Sequence, residues 1–233
     1  MTLSLSLSLS LSQGAFLLKN LLSKDECEEL IAHAQKMGCA RARVTTHGGR
    51  MVEDTEYRSG GRLIWHLKPE HLAKLWDRMK RHFPLPGTEG APPGSKPYAL
   101  NERLRFLRYG TGQKFEMHYD GGFRRGPGDE SHMTWIVYLQ APKEGGHTQF
   151  FNGCATEVVA SIAPTPGTAI LFFHKRHPWS PLHSGQRVGS GVKWAIRSDV
   201  MYREVVEAEE EQKGSVSGYS TPPRKSSSVQ ARD

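Results

Sequence analysis

The chain has 233 residues, of which 37% are hydrophobic, and a formal net charge of +7. That is enough for one packed domain with polar appendages, and no stretch stays apolar over a length that would span a bilayer. The three cysteines, Cys27, Cys39 and Cys154, are no disulfide framework; they suit a reducing compartment, so a cytoplasmic or nuclear location is the expectation. The positive charge permits an anionic partner, but basic residues such as Arg41, Arg43, Arg78, Lys80 and Arg124 are scattered, and composition does not support nucleic-acid binding.

Residues 1–13 alternate Leu and Ser. They lack the basic start and continuous apolar run of a signal peptide. Although the alternation has the period of an exposed strand, the segment is read as a poorly ordered leader. Ser23 and Glu26 then make a capping-box pair, Cys27, Leu30, Ile31 and Ala34 follow helical spacing, and Gly38 can end that helix. Residues 40–67 are mixed, with Gly48-Gly49 and Gly60-Gly61 marking turns, and His47 and His66 read as surface residues. A second helix is expected over Lys68–Phe83. Leu72, Leu75, Trp76, Met79 and Phe83 form its apolar stripe for packing on a sheet, and Pro84 and Pro86 end it.

From Leu100 the pattern turns to short strands punctuated by glycine and proline. In the strand HMTWIVYLQ, parity puts Thr134, Ile136 and Tyr138 on one face and Met133, Trp135, Val137 and Leu139 on the other. Helices followed by about eight strands predict an α+β, mainly β fold: a double-stranded β-helix (jelly-roll) core with N-terminal supporting helices. The expected divisions are the leader 1–13, a helical support region 14–98 of the same domain, the jelly-roll core 99–203, and a disordered tail 204–233, first acidic and then rich in Ser and Pro.

The chemistry concentrates in His118-Tyr119-Asp120 and His183. An H-x-D on an extended segment turns both side chains to one face, where an imidazole nitrogen and a carboxylate oxygen can share a metal. A histidine from a distant strand completes a two-His-one-carboxylate set, which leaves three positions of an octahedron open and suits non-haem Fe(II). His147, His174 and His177 compete for the third place, but only His183 is followed by a lysine, Lys193, ten positions on. A lysine flanked by Val192 and Trp194 in an apolar run needs a partner for its charge, and a bound carboxylate would supply one. Arg197 shares its parity and has two open roles: assisting Lys193, or pairing with an acid such as Asp199.

With the H-x-D, the distal histidine, the lysine ten residues later, Tyr109 nine residues before the first histidine and the turn GGHTQFF, the region from about Leu104 to Tyr202 resembles the 2-oxoglutarate- and Fe(II)-dependent dioxygenases, in particular their prolyl 4-hydroxylase-like branch. The resemblance implies that His118, Asp120 and His183 are the metal ligands and catalytic centre. It implies that Lys193 holds the distal carboxylate of 2-oxoglutarate, with Tyr138 reaching the same carboxylate and Tyr109 near the chelating end. It also implies substrate contacts among the turns of residues 40–67. Fe(II), 2-oxoglutarate and O2, with ascorbate as reductant, would hydroxylate a substrate C–H bond and release succinate and CO2.

A protein side chain such as proline is the leading substrate. The chain lacks the peptide-binding domain and paired cysteines of the secreted collagen-type enzymes. A small-molecule hydroxylase fits the same motifs, a nucleic-acid demethylase would need a contiguous basic groove beside the iron, and a non-catalytic jelly-roll binding module would have no use for the full set. Oligomeric state is not legible.

Overall fold

A computed structural model describes residues 6–12, 14–45, 50–54, 56–83, 85, 92–174 and 177–205. It opens with an antiparallel pair, β1 (Ser6–Ser12) and β2 (Ala15–Lys19), in which Leu7 sits opposite Leu18. The expectation of a poorly ordered leader is therefore corrected for Ser6–Ser12. A period-two pattern is that of a strand, and the free edge of β2 offers the backbone groups it needs. The expected tail is represented only by Glu204 and Val205; residues from 206 onward, like His47, Gly48-Gly49, Pro84 and Pro86, lie outside the described residues.

Helix α1 (Lys24–Met37) starts with the full capping box: the Glu26 amide donates to Ser23 Oγ (3.1 Å) and the Ser23 amide to Glu26 Oε2 (2.8 Å). It ends at Gly38, whose φ of 80° is costly for a residue with a Cβ. Three short strands follow, β3 (Ala40–Arg41), β4 (Val44–Thr45) and β5 (Met51–Val52), then β6 (Gly61–His66) and α2 (Pro69–Lys80). Helix α2 stops three residues before the expected Phe83. The amides of His82 and Phe83 bond to Met79 and Lys80, a tightened last turn.

The remaining strands are β7 (Ser95–Leu100), β8 (Arg103–Gly110), β9 (Phe115–His118), β10 (Arg124–Gly126), β11 (Asp129–Gln140) and β12 (Glu144–Gly145), followed by β13 (Thr148–Phe151), β14 (Val158–Ile162), β15 (Ala169–Phe173), β16 (His183–Gly185), β17 (Val188–Ser190) and β18 (Val192–Glu204). The larger sheet runs β1-β2-β15-β11-β18-β8-β6-β3, with β10 on β11 and β7 on β18; the smaller runs β14-β13-β16-β9.

Alternation along β11 builds both layers. Met133, Trp135, Val137 and Leu139 join Cys27, Ile31, Leu72 and Met79 of the helices in the main core on the outer face of the larger sheet. Tyr138 and Ile136 pack with Phe150, Ile162 and Phe172 between the two sheets. Each such fully buried side chain contributes about 1.5–3 kcal/mol. The fold is the double-stranded β-helix with supporting helices.

Strand β18 lies between β11 and β8 and turns Lys193, Ala195, Arg197 and Asp199 to the same inner face. Across it, Lys193 sits opposite Tyr109 and Arg197 opposite Arg105. This face and the β9–β16 edge of the smaller sheet enclose the site.

Candidate active site

Strands β9 and β16 pair so that His118 and His183 stand opposite one another, which places two residues 65 positions apart side by side. Asp120 lies two residues past His118, beyond the end of β9. His118 Nε2 is 3.6 Å from Asp120 Oδ1, and His183 Nε2 is 3.8 Å from Asp120 Oδ2. One donor atom from each residue falls within 4.8 Å of the others, the single such group of three among the described residues.

Neighbouring carbonyls fix both imidazoles. His118 Nδ1 donates to the Glu116 carbonyl (2.7 Å) and His183 Nδ1 to the Pro181 carbonyl (3.1 Å). A carbonyl only accepts, so each Nδ1 carries a proton, and in the neutral ring each Nε2 presents a lone pair inward, the tautomer a metal needs. Burial and the neighbouring His118 push His183 down to about 4, which keeps it neutral. For Asp120, burial opposes ionisation, but Arg197, His118 and His183 outweigh it and hold the carboxyl well below the usual range. Two imidazoles oriented in this way and one carboxylate fit Fe(II).

The same cavity reaches Lys193, Tyr109 and Thr148. Lys193 is buried, and burial pushes its amine down to about 7. Among the described residues no carboxylate meets it. Its Nζ donates to the Gly146 carbonyl (2.6 Å) and lies 5.1 Å from the centre of the Tyr138 ring. Gly145 and Gly146, at φ of 71° and 70°, make the turn that aims this carbonyl. Tyr138 donates to Thr148 Oγ1 (2.7 Å), and burial raises its phenol. Tyr109 borders the cavity, its ring lying where a side chain on Gly60 would clash at 2.5 Å. A buried ammonium beside an open cavity, with no acid of its own, fits the far carboxylate of 2-oxoglutarate.

Arg197 takes the second of the roles its sequence position left open. Its Nε donates to Asp120 Oδ2 (3.0 Å), the oxygen that Thr134 also bonds (2.8 Å). Its far nitrogen lies 3.5 Å from Asp199 Oδ1. Asp199 is buried and also faces Arg105 (3.3 Å) and His174 (3.5 Å). Asp120 is thus held from behind by a buried chain of alternating charge.

The other histidines fall elsewhere. His174 belongs to that supporting chain, His177 stacks on Phe173 (3.7 Å), and His147 is half-buried and bonded to Ser161. Arg124 and Arg125 sit on an exposed hairpin, with Arg125 paired to Glu102 and Asp129. The sequence reading did not single out Arg58, Arg62 and Arg105, all of which border the cavity. Parity alone pointed at Arg105, which alternates with Leu107 and Tyr109.

Residues 104–198 match the family model described as the 2OG-Fe(II) oxygenase superfamily. The chain is 28% identical over 210 residues to probable prolyl 4-hydroxylase 3 of Arabidopsis thaliana, an alignment spanning 80% of this chain and 69% of that protein. Its fold is shared with the viral collagen prolyl hydroxylase of Paramecium Bursaria Chlorella virus-1, solved with 2OG (TM-score 0.56, 24% identity, 83% of this chain and 98% of that one). It is also shared with a Trichoplax adhaerens prolyl hydroxylase solved with a hypoxia inducible factor peptide (TM-score 0.58, 16% identity, 83% and 84%). The fold, the matched domain and these relatives together support a prolyl 4-hydroxylase-like 2OG-Fe(II) oxygenase, a dioxygenase dependent on 2-oxoglutarate.

Proposed function

We propose that the chain hydroxylates a prolyl residue of a protein substrate, with His118, Asp120 and His183 holding Fe(II) and Lys193 holding the distal carboxylate of 2-oxoglutarate. One observation carries the reading. A convergent set of two inward Nε2 atoms and an ionised carboxylate shares a cavity with a buried lysine that no acid among the described residues neutralises. When bound, the metal and cosubstrate supply the oxidising chemistry, in which O2 converts 2-oxoglutarate to succinate and CO2 and delivers one oxygen atom to the substrate.

The protein contributes position and environment. The Glu116 and Pro181 carbonyls orient the two imidazoles, Thr134 and Arg197 orient Asp120, and Gly146 orients Lys193. Leu107, Phe115, Ile136 and Ala195 supply apolar wall that limits water at the site. The proline target is supported by the relatives, whose names and complexes concern prolyl hydroxylation.

The test incubates the purified chain with Fe(II), 2-oxoglutarate, ascorbate and O2 and a panel of proline-containing peptides. The expected result is succinate and a singly oxygenated peptide in equal amounts, with the hydroxyl on proline by fragmentation mass spectrometry. Triad-dependent succinate that no proline peptide stimulates would overturn the substrate and keep the reaction class.

A further inference from the structure

Among the described residues, five cationic side chains border the cavity (Arg58, Arg62, Arg105, Lys193 and Arg197), against one carboxylate, Asp120, on its wall and a second, Asp199, behind Arg105 and Arg197. Fe(II) and 2-oxoglutarate bring two positive and two negative charges, so loading the site leaves this excess in place. The position of the excess is defined. Arg105 lies opposite Arg197 in the β8–β18 register, and Arg62 lies opposite Leu107 in the β6–β8 register. Arg58 is 9% exposed, its Nε has no hydrogen-bond partner, and its guanidinium lies 4.3 Å over Phe115, which stacks on His118. Neither Arg58 nor Arg62 meets an acid among the described residues, and burial together with the like charge of Arg58, Arg103 and Arg197 lowers Arg62 below its ordinary value. Arg58 is buried and Arg62 half-buried, each without an anion, and such guanidinium groups are costly unless something neutralises them, whereas half-buried Arg105 has Asp199.

We infer that Arg58, Arg62 and Arg105 form a subsite for a carboxylate on the substrate itself, so that the hydroxylated residue is flanked by an acidic one. This rests on the proposed hydroxylase reading and names its substrate class. A carboxylate suits the planar forks of arginine bidentately. A nucleic-acid backbone would need cations spaced along an open groove, whereas these converge on one cavity wall.

The test uses the full chain loaded with Fe(II) and 2-oxoglutarate under anaerobic conditions, so that binding is read without turnover. Fluorescent proline-containing peptides, identical except for Glu, Gln, Lys or phosphoserine beside the proline, are titrated by anisotropy, along with a single-stranded oligonucleotide. The Glu peptide should bind about tenfold tighter than the Gln peptide, with the advantage shrinking as salt rises. Arg62 is the position to change, because Arg105 also balances buried Asp199. Arg62→Gln should erase the Glu preference, and Arg62→Glu should move it to the Lys peptide, a switch that a merely structural role would not produce.

Equal affinity for Glu and Gln peptides, a Glu preference unmoved by Arg62→Gln, or tighter binding of phosphoserine or the oligonucleotide would each overturn the inference. Turnover of a neutral proline peptide with no acidic preference would keep the hydroxylase reading and sink this one. Acid-selective binding without proline hydroxylation would do the reverse.

Discussion

Two cations, the buried Lys193 and the half-buried Arg197, lie four residues apart on one face of β18, and their surroundings differ in kind. Arg197 faces two carboxylates, and although burial opposes its charge, Asp120 and Asp199 raise its pKa above the ordinary value. Lys193 faces none among the described residues, and burial alone brings it down to about 7. The first charge is satisfied by the fold; the second is left for something the fold does not contain. A buried cation with its acid is a structural element, whereas a buried cation bordering a cavity without one marks the place of a ligand.

The comparison depends on Asp120 serving a metal as well as Arg197, so the largest effect is expected at the triad. Asp120→Ala or His183→Ala should reduce Fe(II) affinity by more than the roughly 10–100-fold that follows loss of a group merely supporting a ligand. Succinate formation should vanish with it; equilibrium dialysis and a succinate assay read the two.

Next come the two cations themselves. Arg197→Met leaves buried Asp120 without its arginine and Asp199 with Arg105 and His174 only, and should lower the stability of the metal-free protein by about 3–5 kcal/mol in urea denaturation. Lys193→Met removes a charge that the empty site only tolerates, so the metal-free protein should be at least as stable as wild type, by up to about 1–2 kcal/mol. Its 2-oxoglutarate affinity should nonetheless fall by roughly two orders of magnitude, the scale of losing one partner of a buried charge pair. If Lys193→Met were the more destabilised of the two, the distinction would collapse.

The pH dependence sharpens the same point. The free amine is charged below about 7, and a bound carboxylate favours the charged form, so binding raises its pKa and takes up a proton above neutrality. Affinity for 2-oxoglutarate should therefore be greatest at the acidic end and fall by up to about tenfold per unit between roughly pH 7 and 9. In Lys193→Arg, which stays charged throughout, the curve should be flat over that range. The smallest effect is expected for Tyr138→Phe, which removes the donor to Thr148 and should cost about 1 kcal/mol of stability, with less effect on 2-oxoglutarate than any change at Lys193.

How legible these parts were in the sequence depends on how far each feature reaches. The capping box of α1 is local chemistry and could be read from Ser23 and Glu26 alone. The two faces of β11 needed only parity, and the H-x-D needed little more. His183 could be placed because a lysine follows at a recognisable distance, although what joins it to His118 is a pairing between β9 and β16 that no local pattern announces.

The cationic wall shows the limit. Arg62 and Arg105 each read as an ordinary strand residue, and they share a cavity only because β6 pairs with β8 and β8 with β18. The leader reading of the Leu/Ser alternation, whose period was already that of a strand, missed Ser6–Ser12 for the same reason. An alternating segment is a strand when an edge is there to receive it, and here β2, itself docked on β15, provides that edge.

The most direct test of the central claim is an anaerobic titration of the metal-free protein with Fe(II) and then 2-oxoglutarate, following bound iron and the visible charge-transfer absorbance of the chelated cosubstrate, in wild type and His183→Ala side by side. The account predicts one iron per chain and an absorbance that saturates with 2-oxoglutarate in the wild type, and neither in the variant. Equal iron binding and equal absorbance in the two proteins would place the metal elsewhere and contradict it.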